Sequence, residues 1–225
     1  MSATPSEAQK PAAEVQRRYR GMSPAERSAQ RRERLLDAGL ELFGTQGYAS
    51  SSIRAVSAAA GLNSRYFYES FSSREELLFE VYQRAVAEVA TAVIEATARE
   101  ENVEDQARAG LEASWRLLTG DPRKARVILI EVVGVSERLE RTRRENRHAF
   151  ADLLVRNAMS VAGEHVRLRV DPVLTARSLM GASMEVLGDW IHGYVEASTD
   201  EIVEHLTTIY AAVARASVVP DGESA

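Results

Sequence analysis

The chain has 225 residues, 45% of them hydrophobic, no cysteine, and a formal net charge of −5. That length allows one well-buried core or two small ones, and the missing cysteine excludes a disulfide framework, a thiolate metal site and a cysteine nucleophile. No long uncharged apolar run suggests a membrane span and the N-terminus lacks the apolar core of a signal peptide, so a cytoplasmic protein without a membrane partner is expected.

Residues 1–22 are rich in Ala, Ser, Pro, Gln and charge and read as a disordered basic tail. Lys10, Arg17, Arg18 and Arg20 make it either a solvated leader or an arm for phosphates. Ser23-Pro24-Ala25-Glu26 is a helix start, with a cap, Pro at the first position and Glu three after the cap. The first helix is expected to run to about Gln46, with Leu35, Leu36, Gly39, Leu40 and Phe43 facing inward. Its early Arg27, Arg31, Arg32 and Arg34 are near enough to the next elements to touch a DNA backbone.

Ser52 caps a short helix with Ile53, Val56 and Ala60 on one face, and Gly61 ends it. Asn63 caps a second helix in which Phe67 and Phe71 face inward four residues apart. A short Gly-containing turn between two helices is the helix-turn-helix, whose second helix enters the DNA major groove. Ser64, Arg65, Tyr66 and Tyr68 crowd the early turns of that helix, where a recognition helix needs donors and flat aromatics. Another capping box, Ser72-Ser73-Arg74-Glu75, opens a long helix to about Arg99. Residues 1–75 hold 11 Lys/Arg against 8 Asp/Glu, and the remainder 17 against 25, so the acidity lies outside this region.

Residues 34–78 resemble the TetR (tetracycline repressor) family of bacterial transcriptional regulators. LLDAGLELFGTQGY, Leu35 to Tyr48, is similar to the family's opening phrase "lelFaekGy". Ala60-Gly61-Leu62-Asn63, Phe67-Tyr68, Phe71, Ser73-Arg74-Glu75 and Leu77 follow its "A-G-V-S-x-x-x-L-Y-x-Y-F-x-S-K-E-x-L". The resemblance implies that Ser52, Tyr68 and Arg74 contact phosphates, that Arg54 reads a guanine, and that Ser64, Arg65 and Tyr66 form the main base-reading turn, with the cap Asn63 counted among the DNA-binding residues. Arg65 and Tyr66 are larger than the usual family residues, so no relative's base preference transfers, and Ser70 replaces a usual Tyr or His, so a weaker or lost phosphate contact is expected there.

Beyond Val103 every periodic segment is helical: 104–118, 123–133, 137–162, 171–195 and 200–216, with 218–225 read as frayed. No segment alternates convincingly at period two. The expected fold is all-α, about nine helices, with a helix-turn-helix domain over 23–72 and a helical effector-binding and dimerisation domain over 73–217. Leu187, Ile191, Tyr194, Leu206, Ile209 and Val213 are expected at a two-fold interface, which implies a palindromic double-stranded DNA operator. Trp115, Leu118, Ile130, Phe150, Met184 and Trp190 are candidates for a hydrophobic small-molecule effector pocket, although such residues are more often plain core.

The function expected is a homodimeric transcriptional regulator, a repressor released by its effector, with no cofactor, no metal and no enzymatic activity. A rival reading is a di-iron-like all-α enzyme, from Glu145-x-x-His148 and Asp189-x-x-His192; His165 and His205 add nothing to it. Another rival is a protein-interaction domain that never meets DNA.

Overall fold

The computed structural model describes residues 23–162 and 166–219. The expected N-terminal tail, His165 and residues 220–225 lie outside them. Nine α-helices occur among the described residues: α1 Pro24–Thr45, α2 Ile53–Ala59, α3 Ser64–Ser70, α4 Arg74–Thr97, α5 Val103–Gly120, α6 Pro122–Arg126, α7 Glu137–Ala162, α8 Pro172–Ile191 and α9 Thr199–Ser217. A π-helical turn, Val127–Glu131, continues α6.

The starts follow the sequence signals. The Ser23 hydroxyl accepts from the Glu26 N–H at 3.1 Å while the Glu26 carboxylate accepts from the Ser23 N–H at 2.5 Å. Ser52, Asn63 and Ser73 cap α2, α3 and α4 through their side-chain oxygens. Gly61 takes φ 63°, a left-handed conformation that glycine adopts without a Cβ penalty.

Two cores form along α4. The first joins Leu35, Leu36, Leu40 and Phe43 of α1 to Val56, Phe67 and Phe71, and to Leu77, Leu78, Val81 and Tyr82 of α4. Val127, Val132 and Leu139 close it, so this core reaches well past residue 72. The second joins Val89 and Val93 of α4 to Leu111, Trp115 and Leu118 of α5, Leu187 of α8, and Ile202, Val203, Leu206 and Tyr210 of α9. Ile128 of the π-turn packs against both.

Three local expectations are corrected. The helix expected to reach Val195 ends at Ile191, because Gly193 turns the chain at φ 75° and the Tyr194 N–H returns to the Asp189 carbonyl at 2.9 Å. Residues 166–170, Val-Arg-Leu-Arg-Val, do alternate at period two, and Leu168 makes an antiparallel bridge with Val218. Val218 and Val219 are therefore paired rather than frayed: the Val219 N–H donates to the Arg167 carbonyl at 2.8 Å, and the Arg169 N–H to that of Ser217 at 2.8 Å.

Candidate nucleic-acid interface and effector cavity

Helices α2 and α3 bring Ser52, Ile53, Arg54, Ser64 and Tyr68 together with Arg74 of α4 around one shallow, open depression. Five of the eight DNA-binding candidates thus share one surface. Ser52 is already engaged as a cap, its Oγ accepting from the Ala55 N–H at 3.1 Å, but its hydroxyl hydrogen is uncommitted. Arg54 is exposed and Tyr68 is 62% exposed, with the Tyr68 ring braced edge-on against buried Phe67 at 5.6 Å. Arg74 stacks over the Tyr48 ring at 4.2 Å and donates to the Ser51 carbonyl at 2.5 Å. It therefore fixes the loop before α2 as well as lending charge to the depression.

Asn63, Arg65 and Tyr66 lie outside that depression, on the exposed N-terminal part of α3. Asn63 is held as a cap by the Arg65 N–H at 2.9 Å. The Arg65 side chain is 85% exposed, with its Nε 3.3 Å from Glu69. Tyr66 lies under the Arg31 guanidinium at 4.6 Å, and Arg31 is 3.6 Å from Glu69. The chain Arg31–Glu69–Arg65 braces the exposed side of α3.

The α1 arginines expected near a DNA backbone are largely engaged within the protein. Arg31 serves Tyr66 and Glu69, Arg32 pairs with Glu80 at 3.0 Å and stacks on Phe71, and Arg34 donates to the Gly61 carbonyl at 3.3 Å.

A second set of contacts ties this end to the rest of the chain. Arg123 of α6 pairs with Glu41 of α1 at 2.5 Å. Arg126 donates to the Thr45 carbonyl at 3.0 Å and to Glu131 at 2.8 Å. Glu131 in turn accepts from the Tyr48 N–H at 2.6 Å. Gly44 makes the approach possible, since a Cβ there would lie 2.4 Å from the Arg123 Cβ. Glu131 is the functional candidate the sequence reading missed; its only signal was a carboxylate at the end of an otherwise apolar run.

The second core encloses a cavity of about 240 Å³. It is bounded by α4 from Val86 to Thr97, α5 from Val103 to Leu118, α7 from Phe150 to Ala162, α8 from Pro172 to Leu187, and the extended Val166, Leu168 and Val170. Its α5 wall rises roughly 22 Å at ~1.5 Å per residue, so the cavity is elongated. Of the pocket candidates, Trp115, Leu118, Phe150 and Met184 line it; Ile130 and Trp190 do not. Ile130 sits on the π-turn, whose Ile128 faces the cavity instead. Trp190 stands behind Trp115, edge-on at 6.4 Å, and donates to the Ala197 carbonyl at 3.0 Å.

The interface candidates divide. Leu187 and Leu206 are 3% and 1% exposed: packed in the chain's own core, they have no surface to offer a second copy. Val213 turns to the cavity. Tyr194 is 79% and Ile209 39% exposed, and Leu174, not among the candidates, is 63% exposed. Gly181 and Gly188 face open space.

Glu145 and His148 are exposed, and the His192 ring nitrogen lies 2.7 Å from its own helix carbonyl at Gly188. Among the described residues no group of three or more His, Cys, Asp or Glu is placed to hold a metal. No helix among them is long and apolar enough to cross a membrane.

A family model described as bacterial regulatory proteins, tetR family, matches residues 35–81. The HTH-type transcriptional activator FasR from Mycolicibacterium smegmatis is 30% identical over 99 residues, which are 44% of this chain and 45% of that relative, so the match spans less than half of its length. Among solved structures, the fatty acid degradation regulator FadR from Bacillus halodurans superposes with a TM-score of 0.71 at 16% identity, over 85% of this chain and 96% of that one. FadR from Bacillus subtilis in complex with stearoyl-CoA gives 0.71 at 16% identity, over 79% and 96%. A TetR/AcrR regulator from Thermobifida fusca gives 0.62 at 24% identity, over 80% and 96%. Residues 35–81, from α1 into α4, thus match the DNA-binding motif of the tetR family of bacterial regulatory proteins, and the helical architecture around them is the fold of the solved TetR-type regulators.

Proposed function

We propose that the chain is a homodimeric, sequence-specific DNA-binding regulator whose operator affinity is set by a long, apolar effector in the α4–α5–α7–α8 cavity. The observation that carries the DNA reading is the convergence of Ser52, Arg54, Ser64, Tyr68 and Arg74 on one open face, with Arg65 exposed beside it. Phosphate contacts from Ser52, Tyr68 and Arg74 fix the register, and Arg54 and Arg65 supply planar forks suited to guanine edges. Leu174, Tyr194 and Ile209 support a two-fold pairing through α8, the loop after it and α9, and hence a palindromic operator.

The apolar cavity supports a hydrophobic effector, and two structural neighbours bear names that refer to fatty acid degradation and stearoyl-CoA. Long-chain acyl compounds are therefore the first class to test. Coupling has two routes. Helix α4 runs from Arg74 at the DNA face to Thr97 at the cavity. The π-turn joins cavity-lining Ile128 to the Glu131–Tyr48 and Arg126–Thr45 contacts. An effector acts only through different affinities for the two states.

We infer release of the operator on effector binding, and so repression. The relative FasR is named an activator, and a promoter reporter with and without the protein decides the sign. The test of the effector reading is operator affinity with and without neutral long-chain acyl compounds such as acyl amides. A coupling of about 1–3 kcal/mol predicts a 5- to 150-fold change; unchanged affinity across the acyl series contradicts it.

A further inference from the structure

None of the described residues lining the cavity carries a charge. An ionised carboxylate or phosphate lodged against them would be buried without a counter-charge, which is strongly unfavourable. The cavity is not uniformly apolar, however. Thr97, Gln106 and Asn157 make a polar pole where α4, α5 and α7 meet.

At that pole the donors have protein acceptors. The Thr97 hydroxyl donates to the Val93 carbonyl at 2.9 Å, the Asn157 amide nitrogen to Thr97 at 3.0 Å, and the Gln106 amide nitrogen to the Glu100 carbonyl at 3.4 Å. The other cavity hydroxyls are also used: Ser114 on Leu111, Thr175 on Asp171, Ser217 on Val213, and Tyr210 with Ser183. Gln106 is 8% exposed, and its Oε1 is buried with no hydrogen-bond partner. A buried acceptor without a donor is costly, and a ligand that supplies the donor, once a turn of the Gln106 amide brings Oε1 to the cavity, recovers that cost.

Resting on the effector reading above, we propose that Gln106 is the head-group residue of the cavity, and that the site takes an uncharged head bearing a hydrogen-bond donor. A primary alcohol or an N–H amide on a long apolar chain fits; a free fatty-acid carboxylate does not. The tail then runs from the pole along α5 towards Trp115, Leu118 and Phe150.

The test measures binding to the full-length protein of a matched set with one chain length: the primary alcohol, its methyl ether and the fatty acid at neutral pH. The expected order is alcohol tightest by about tenfold over the ether, with the acid weakest. Gln106→Leu should erase the alcohol–ether difference, and without ligand it should melt at a higher temperature than the parent, since it removes the unpaired acceptor at similar volume. Equal binding of alcohol and ether to the parent overturns the proposal, as does acid binding tightest, or a Gln106→Leu variant that keeps the difference. If the whole set fails to bind, the apolar-effector reading itself falls. The ligand-free melt then still decides Gln106: a lower melting temperature for the variant overturns the unpaired-acceptor argument.

Discussion

Arg65 reaches into solvent with its Nε against Glu69, which leaves the outer edge of the guanidinium free for a base. Arg65→Ala should cost about 1–3 kcal/mol at one base pair of each half-site and little elsewhere, read by competition binding with single-position operator variants. Tyr68→Phe removes only the exposed hydroxyl, so affinity should fall evenly over all sequences with preference unchanged. Glu69→Gln should relax the preference at Arg65's base pair while raising affinity for random duplex, because a carboxylate beside the phosphates is gone. Candidates in the turn of α3 were legible because caps and spacing place them. The fate of Arg31, Arg32 and Arg34 was not, since periodicity gives a face but not the Glu69, Glu80 or Gly61 carbonyl that waits across the fold.

At the scale of elements, the contact of α6 and the π-turn with α1 is, on the proposed reading, the joint between the cavity and the DNA-binding face. Gly44→Ala would force a Cβ to 2.4 Å from the Arg123 Cβ and 2.7 Å from its Cα. Backbone has to move, so a loss of about 1–3 kcal/mol in unfolding free energy is expected. Glu131→Ala should leave effector affinity nearly intact but shrink the effector's influence on operator binding, measured as the ratio of affinities with and without it. Acid sensitivity also belongs here. Hydrogen bonds from the Ser72 hydroxyl and then its N–H hold the Glu76 carboxyl below its ordinary range, and those from Arg123 do the same for Asp121. A carboxylate depressed in the folded state contributes stability above its unfolded value, about 4.3 for Glu. That stability is lost as pH falls through the folded value. Melting temperature should therefore stay nearly flat from about pH 8 to 5.5 and drop below about pH 4.5, and Glu76→Gln should flatten part of that drop. The nine helices were legible from caps and 3.6-residue periodicity. The π-turn was not, because i→i+5 bonding follows from tertiary wedging rather than composition. The Leu168–Val218 pairing was missed for another reason: five alternating residues are too few to outweigh the helices on either side.

Over the whole molecule, the division of apolar stripes between core and partner is what sequence alone could not make. Leu206 shares α9 with Ile209, and Leu187 lies in α8 just before Tyr194's loop, yet both leucines are buried while Ile209 and Tyr194 are open. Only the placement of α5 against α9 and of α7 against α8 decides which stripe is filled. Ile209→Glu should therefore yield monomers in sedimentation at micromolar concentration and weaken operator binding, with little change in melting of the isolated chain. DNA affinity of the parent should fall as salt rises, since on the proposed docking the cationic Arg74 neutralises phosphates and releases their counterions. The most direct test of the account is selection from a random duplex library at near-physiological salt. It predicts enrichment of an inverted repeat whose half-sites carry a guanine-dependent position lost in Arg65→Ala. Failure to enrich any sequence, even as salt is lowered, would contradict it.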